Sequence, residues 1–526
     1  MKKVKFLMMA VATIMLIGFV GCNNDVVAPN NGDDDINGNL EDVYLSVNLS
    51  IPNDAASASP RALRAATDLE DGTDGIEAGT GNEIVVSRVD LYFFQGGNYV
   101  NTMSFTSGAS ELPGSVAQGS NQLISSVTKG IALIVGTYQV YTLVNHTPIT
   151  TLTVGDPVAD LLEASLNPLA TFANGFVPLT STGLPMAGRT TKSGDRIPPV
   201  DITIATANNV ITNPATLKFE AERSVAKLVL NPTTDGLNKY TITNDGTSGG
   251  TTIATAELEE YAVVNLMNTG FAFRHAVPVA SVYDLSGGYL FGNVTTDIHY
   301  IMDPATHLKT IPVASSTLTL ATTYSQHVSA ARNYKAMTTS TNHVIGYPYE
   351  NTTSAESQKN GYSTGLVFKM KITPEEILEL NGSSLDPVSD VSLVTNFFYY
   401  GGLFYTDLDA IVSKMGMTDA AEITTFKGLS AADLKKIGIE TLTGGYCYYN
   451  YWIKHLDDDV AATMGVMEFG IVRNNLYRMS VTGVRAIGSG TDVIDPELDN
   501  EVALSYLNVE MSILPWIVRS NEGIVL

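Results

Sequence analysis

Cysteine is almost missing from this chain: there are two in 526 residues, Cys22 and Cys447. Cys22 closes an N-terminal leader, so no disulfide framework can staple the remainder. Charge is also scarce, at 16% of residues against roughly 25% in an average soluble protein. Basic residues are the scarcer kind, 30 Lys and Arg against 54 Asp and Glu, for a net charge of −24. Nucleic acid is therefore excluded as a partner, because phosphate binding needs a basic face. After the leader no apolar run reaches the ~18 residues of a transmembrane helix. What is present is 44% apolar residues, enough for real cores, and 24 Tyr against 2 Trp. Thr, Ser, Asn and Gly carry most of the polarity, a mix that favours strands and turns. It excludes a coiled coil, a collagen-like chain and a wholly disordered protein. The length suits three or four average domains or two large β-rich ones.

Catalytic and cofactor motifs are absent too. Gly246-Thr247-Ser248-Gly249-Gly250 has G-x-S-x-G spacing, but a nucleophile elbow needs a helix after it. Here Thr251-Thr252-Ile253 reads as a strand, and Asn244-Asp245-Gly246 favours a hairpin turn. The seven His residues are scattered without H-E-x-x-H spacing, and Cys447 has no partner in a zinc spacing. Asp33, Asp35, Asn37 and Gly38 match the front of an EF-hand loop, but Tyr44 stands where a bidentate Glu is required. No catalytic residue, metal or cofactor is expected, and the chain is read as a non-enzyme.

Lys2, Lys3 and Lys5 precede an apolar segment, residues 6–20, that is too short to span a membrane comfortably. It stops at Phe19-Val20-Gly21-Cys22, which resembles a bacterial lipobox with Phe19 where Leu is commoner. That resemblance implies a signal peptide over residues 1–21 and acylation of Cys22; an ordinary secretory signal is the alternative. Residues 23–39 are polar and acidic, a tether. Val43, Leu45, Val47, Leu49 and Ile51 then fall at period two, an alternating strand that Pro52 stops. Flexible, small-residue chain surrounds it, with Arg61 and Arg64 on its far side. An isolated strand cannot satisfy its own backbone, so it must complete a sheet formed elsewhere in the chain.

Strand patterning resumes at Glu83. Residues 84–94 and 138–145 read as strands, residues 160–166 as a short helix, and Leu184-Pro185-Met186-Ala187-Gly188 as a compact turn. A boundary is placed near residue 215, giving domains at 65–215 and 216–526. The second carries a helical insertion at about 373–440. Thr373-Pro374-Glu375-Glu376 looks like a capped helix start, and residues 406–415 and 430–437 look like two further helices. The chain ends in a strand, about 505–526, with Leu507, Val509, Met511 and Ile513 on one face. Trp516 and Val518 continue it past Pro515, which is expected to reset the register. Arg473-Asn474-Asn475 is read as scaffold, an Arg in a structural ion pair beside a bend. Tyr446, Tyr448, Tyr449, Tyr451 and Trp452 are read as a strand divided between core and sheet surface.

Five segments together resemble the fimbrillins of Bacteroidales, the subunits of type V pili, above all the branch that builds the minor-fimbria shaft. They are Cys22, Leu184-Pro185-Met186-Ala187-Gly188, Glu222-Arg223-Ser224-Val225-Ala226-Lys227, Ile471-Val472-Arg473-Asn474-Asn475-Leu476-Tyr477, and residues 509–518 with Leu514-Pro515-Trp516. The resemblance implies an all-β fold of two transthyretin-like β-sandwiches in tandem, here with the small helical insertion. It implies an outer-membrane lipoprotein precursor trimmed by an arginine-specific surface protease, so that residues 22–64 act as a propeptide. Arg64 is the expected cut and Arg61 the runner-up. Loss of the strand at residues 43–51 would open a groove, and the terminal strand of another copy would fill it. Self-polymer, accessory fimbrial subunits and a role in adhesion and biofilm follow from the same resemblance. A fimbrial tip or anchor subunit, or a monomeric glycan-binding surface lipoprotein, is the alternative.

Overall fold

The computed structural model describes residues 41–50, 77–79, 81–112, 122–124, 128–164, 175–189, 199–233, 236–278, 299–305, 323–338, 343–353, 358–455, 464, 468–501 and 507–517. All of them lie in one compact unit, residues 38–526. Cys22, Ile51, Arg61, Arg64 and Val518 fall outside the described residues.

The first strands in chain order are β1 (Glu41–Ser50), β2 (Glu77–Ala78), β3 (Arg88–Gln95), β4 (Asn98–Thr106), β5 (Gln122–Ile124) and β6 (Lys129–Leu133). They are followed by β7 (Gly136–Val144), the helix α1 (Val158–Ala164), β8 (Met186–Arg189), β9 (Val200–Ile204) and β10 (Ala215–Arg223). All but β2 form a nine-stranded sheet, with the path β4-β3-β7-β8-β10-β1-β5, β6 beside β1 and β9 beside β7. Alternation sets the buried face. In β10, Ala215, Leu217, Phe219 and Ala221 point inward while Thr216 and Lys218 point out. They meet Val89, Leu91 and Phe93 of β3 and Tyr138 and Val140 of β7 in one core.

The chain leaves this sheet after β10 and enters another at β11 (Lys227–Asn231). The next strands are β12 (Lys239–Thr243), β13 (Thr252–Val264), β14 (His343–Gly346) and β15 (Gly365–Pro374). A small subdomain follows: β16 (Leu378–Asn381), β17 (Ser384–Pro387), β18 (Phe397–Tyr400), β19 (Leu403–Tyr405), helices α2 (Leu408–Met415), α3 (Ala420–Lys427) and α4 (Ala431–Lys436), then β20 (Glu440–Leu442). The chain closes with β21 (Tyr446–Trp452), β22 (Asn475–Val484) and β23 (Leu507–Ile517). One sheet runs β14-β11-β22-β23-β2 and a second β12-β13-β15-β21. Leu228, Leu230, Tyr477, Met479 and Val481 of the first pack on Ile242, Ala256, Phe368, Met370, Cys447 and Tyr449 of the second, a two-sheet sandwich. The fold is all-β with few helices.

Four local readings change. Met186–Arg189 is a strand, β8, rather than part of a turn; it pairs with both β7 and β10. Gly188 is needed there, because a Cβ would lie 2.7 Å from Thr142 Cβ. Thr373-Pro374 does not start a helix. It ends β15, where Pro374 pairs opposite Ala254 and the adjoining bond is donated by Glu375 N to the Ile253 carbonyl oxygen, so the missing Pro374 N–H leaves no gap. The insertion is thus mixed, with helices beginning only at Leu408. Its middle helix, α3, had no expectation; Asp419 caps it by accepting from Ala421 N and Glu422 N. Finally, the register of β23 runs unbroken through Pro515 and shifts instead between Val481 and Gly483 of its partner. Pro515 is the last pair of that ladder, so its missing N–H interrupts nothing.

Candidate assembly site

β1 is an internal strand, paired on both edges. Along one edge it pairs in parallel with β10, from Leu45 opposite Ala215 to Ser50 opposite Glu220. Its other edge is shared: β6 covers Glu41 to Leu45 and β5 covers Asn48 to Ser50, both antiparallel. Val43, Leu45, Val47 and Leu49 are each 0% exposed, while Tyr44, Ser46 and Asn48 on the opposite face are half-buried. The alternation read from the sequence therefore fills the first core along four consecutive inward positions. At about 1.5–3 kcal/mol per buried side chain, these contribute roughly 6–12 kcal/mol gross. β6 has an anchor of its own. Lys129 reaches the Ser104 carbonyl oxygen at 2.7 Å and Glu111 at 2.7 Å, and Asn101 Nδ2 donates to the Ala132 carbonyl oxygen. That side of the slot is thus tied to β4 independently of β1.

At the other end of the chain, β23 is docked on β22, from Leu507 opposite Val484 to Pro515 opposite Asn475. Leu507 is buried, and Val509 and Met511 pack half-buried on the second core. The backbone of Ile513 continues the same ladder. Trp516 and Ile517 pair in parallel with Glu77 and Ala78 of β2.

The crossover between the two sheets is held by buried polar groups. Glu83, just before β3, meets Lys227 Nζ at 2.8 Å and accepts from the Tyr347 hydroxyl at 2.7 Å. Its own carbonyl oxygen accepts from Arg223 Nη2 at 3.2 Å. Burial pushes Arg223 down to about 10, against the pull of Glu83. Nearby, Arg473 donates through Nε and Nη2 to the two Glu350 oxygens, both at 2.8 Å, and to the carbonyl oxygens of Ala272 and Phe271. Burial opposes the Arg473 charge, but Glu350 outweighs it and the guanidinium pKa is raised. Asn474 takes a left-handed φ of 58°, which Asn tolerates. Its N–H donates to Val225 of the crossover, and Asn475 Nδ2 donates back to Val472 and Arg473. The Arg473 ion pair and the bend beside it are those its sequence suggested. Glu83, Tyr347 and Glu350 carried no such signal, because their partners are remote in sequence. His146 and His275 sit in this junction, and burial, reinforced by Arg473, brings each down to about 3.

Ser248 lies in the turn that joins the antiparallel strands β12 and β13, which is a hairpin and not a nucleophile elbow. Burial pushes the Cys447 thiol up to about 12, so it packs as a small apolar group. In β21, Cys447, Tyr449 and Trp452 are buried while Tyr446, Tyr448 and Tyr451 are half-buried, the division expected. Among the described residues no three His, Cys, Asp or Glu side chains converge on a metal position, and no helix is long and apolar enough to cross a membrane.

Residues 440–522 match the family model described as Major fimbrial subunit protein type IV, Fimbrillin, C-terminal. The match spans β20 to β23, including the Arg473 turn and the terminal strand, and the resemblance read from the sequence is to the same family. No curated protein matches the chain significantly. Among solved structures it is similar to a putative cell adhesion protein from Parabacteroides distasonis, with 13% identity and a TM-score of 0.40 over 91% of this chain and 100% of that one. It is also similar to a fimbrilin from Porphyromonas gingivalis, at 15% identity and 0.39 over 90% and 98%. The third is the tip fimbrial protein Mfa3 of Porphyromonas gingivalis, at 13% identity and 0.37 over 90% and 100%. Likeness at these scores carries no inference about activity.

Proposed function

We propose that this protein is a structural subunit of a surface fimbria. In this reading it is exported as a lipoprotein through Cys22, trimmed after Arg64 or Arg61, and polymerised by exchange of β1 for the terminal strand of another copy. The domains are divided after β10, near residue 224 rather than 215, since Ala215–Arg223 pairs within the first sheet, and residues 22–64 form the propeptide. Val43, Leu45, Val47, Leu49 and Ile51 are the removable strand; Leu507, Val509, Met511, Ile513, Trp516 and Val518 are the donor anchors.

One observation carries the reading: β1 is paired on both edges within the first sheet, yet its partners are remote in sequence and chain with two arginines follows it. While covalently attached, β1 is held at high effective concentration. Once severed, its gross burial of roughly 6–12 kcal/mol is set against an association cost of about 4–15 kcal/mol. The cut strand is then close to balance, and a competitor with additional anchors displaces it through backbone pairing. The match over residues 440–522 supports the fimbrial class.

A second reading has an observation of its own. Because β23 is seated on its own sandwich, a tip or anchor subunit, whose terminal strand stays home, fits the uncut chain. Treating the pure protein with an arginine-specific protease separates the two. A shaft subunit gives a new N-terminus at Ala65 or Ala62 and fibres visible by electron microscopy. Fragments that stay monomeric after complete trimming would refute the shaft assignment.

A further inference from the structure

A cleft of ≈ 140 Å³ opens between β21 and the segment 489–498, on the side of the second sandwich. Tyr448 and Asn450 are two positions apart on β21, so they project from the same face, and both line it. Asp492 and Asp495 come from the opposite wall, with Val367 and Ile494 on the apolar side. The Asn450 amide and the Tyr448 hydroxyl have no hydrogen-bond partner among the described residues. Asp492 is engaged through Oδ2 alone, by the Tyr334 hydroxyl at 3.4 Å. An unpaired amide, a phenol and a carboxylate thus line one cleft, with the Tyr448 ring tilted against Tyr334 at 6.1 Å between centroids.

The wall is irregular chain, yet it is fixed from four sides. Lys435 Nζ bonds Ser489 Oγ at 2.6 Å, Glu440 accepts from Gly490 N at 2.8 Å, Arg332 donates to the Asp492 carbonyl oxygen at 3.0 Å, and Asn360 donates to that of Asp495 at 3.1 Å. Ser489 also exchanges both backbone hydrogen bonds with Tyr448. A wall set in advance loses little entropy on binding. The volume is well below the ~300–1,000 Å³ of drug-sized sites, so the occupant is a single small ring. Donor and acceptor side chains beside a ring face suit a polyhydroxylated ring with one apolar face. Two carboxylates, Asp492 and Asp495, outnumber the one lysine of the lining, Lys435, and on a chain of net charge −24 they disfavour anions.

We infer that this cleft is a binding site for a neutral pyranose sugar, with Asp492 and Asn450 holding hydroxyl groups and Tyr448 packing on the ring. The site lies apart from β1 and does not depend on the assembly reading, so its test uses the full, uncut chain. Saturation-transfer NMR with the methyl glycosides of glucose, galactose and mannose, and with sialic acid as the anionic probe, reads it directly. At least one neutral glycoside is expected to bind with millimolar affinity and sialic acid not at all. Asp492→Asn and Asn450→Ala should each weaken binding tenfold or more. Tyr448→Phe, which deletes only a hydroxyl and preserves packing, should weaken it several-fold, and Leu393→Ala, at an exposed position that does not line the cleft, should leave it unchanged. No response from any neutral glycoside, or binding undiminished in the Asp492→Asn, Asn450→Ala double variant with unchanged circular dichroism, overturns the inference.

Discussion

Leu45→Ala tests the β1 reading twice, once on each side of the cut. Leu45 is 0% exposed and stands where β1 is paired on both edges, opposite Ala215 on one side and Lys129 on the other. Truncating it removes three carbons from a core with no solvent to fill the gap. A buried Leu→Ala change costs about 2–5 kcal/mol, and neighbours locked in ladders on both sides favour the upper half of that range. Urea denaturation of the uncut chain should therefore show a loss of unfolding free energy of this size, read from the shifted midpoint at constant slope. The second measurement repeats the experiment after trimming with an arginine-specific protease and gel filtration. If β1 departs, wild type and variant become the same molecule in the first sheet, and their curves should coincide. A loss under about 1 kcal/mol before the cut would show that β1 does not support the sheet. A difference that survives complete trimming would show that the severed strand stays in place, and strand exchange at this slot would be refuted.

Glu350→Gln should destabilise the chain by about 3–5 kcal/mol, since it leaves Arg473 buried without its counter-charge; the double change with Arg473→Met should cost less, and the two urea curves measure the difference. Acidification should weaken the junction. His146 and His275 are neutral when folded, with values near 3 against an ordinary 6.5, so the unfolded chain binds more protons between those limits. Stability is then full above pH 6.5 and falls as pH drops toward 3, by on the order of a few kcal/mol per histidine. His146→Gln should flatten the slope between pH 6.5 and 5 by about one proton, and an unchanged slope would contradict the burial of that ring. Gly188→Ala should disturb the β8 crossing, where the new methyl meets Thr142 and Phe219; the readout is loss of stability by about 1–3 kcal/mol, typical of overpacking.

Period-two alternation made β1 legible in the sequence, because a half-buried strand writes its inward face every second residue; residues 84–94, 138–145 and the aromatic run 446–452, also read as strands, are β3, β7 and β21. The isolation of β1 was equally legible: an apolar strand with polar chain on both sides has to find its partners elsewhere. Residues 406–415 and 430–437, read as helices, are α2 and α4, where the capping residues Asp407 and Ser430 bond the first helical N–H groups locally. The same logic failed at Thr373-Pro374, because a strand that ends in Pro and a helix that begins with it look alike until the ladder opposite is known.

Which edges meet could be decided only by the tertiary structure. Nothing local says that β1 lies parallel to β10 and not beside a nearer strand, or that Glu83 closes on Lys227 and Tyr347. Arg473 could be read as paired, but Glu350, far away in the chain, could not be named as its partner. Periodicity is a property of one segment and survives in the sequence. Pairing is a property of two, and is fixed when the surrounding core accepts one register and rejects the rest.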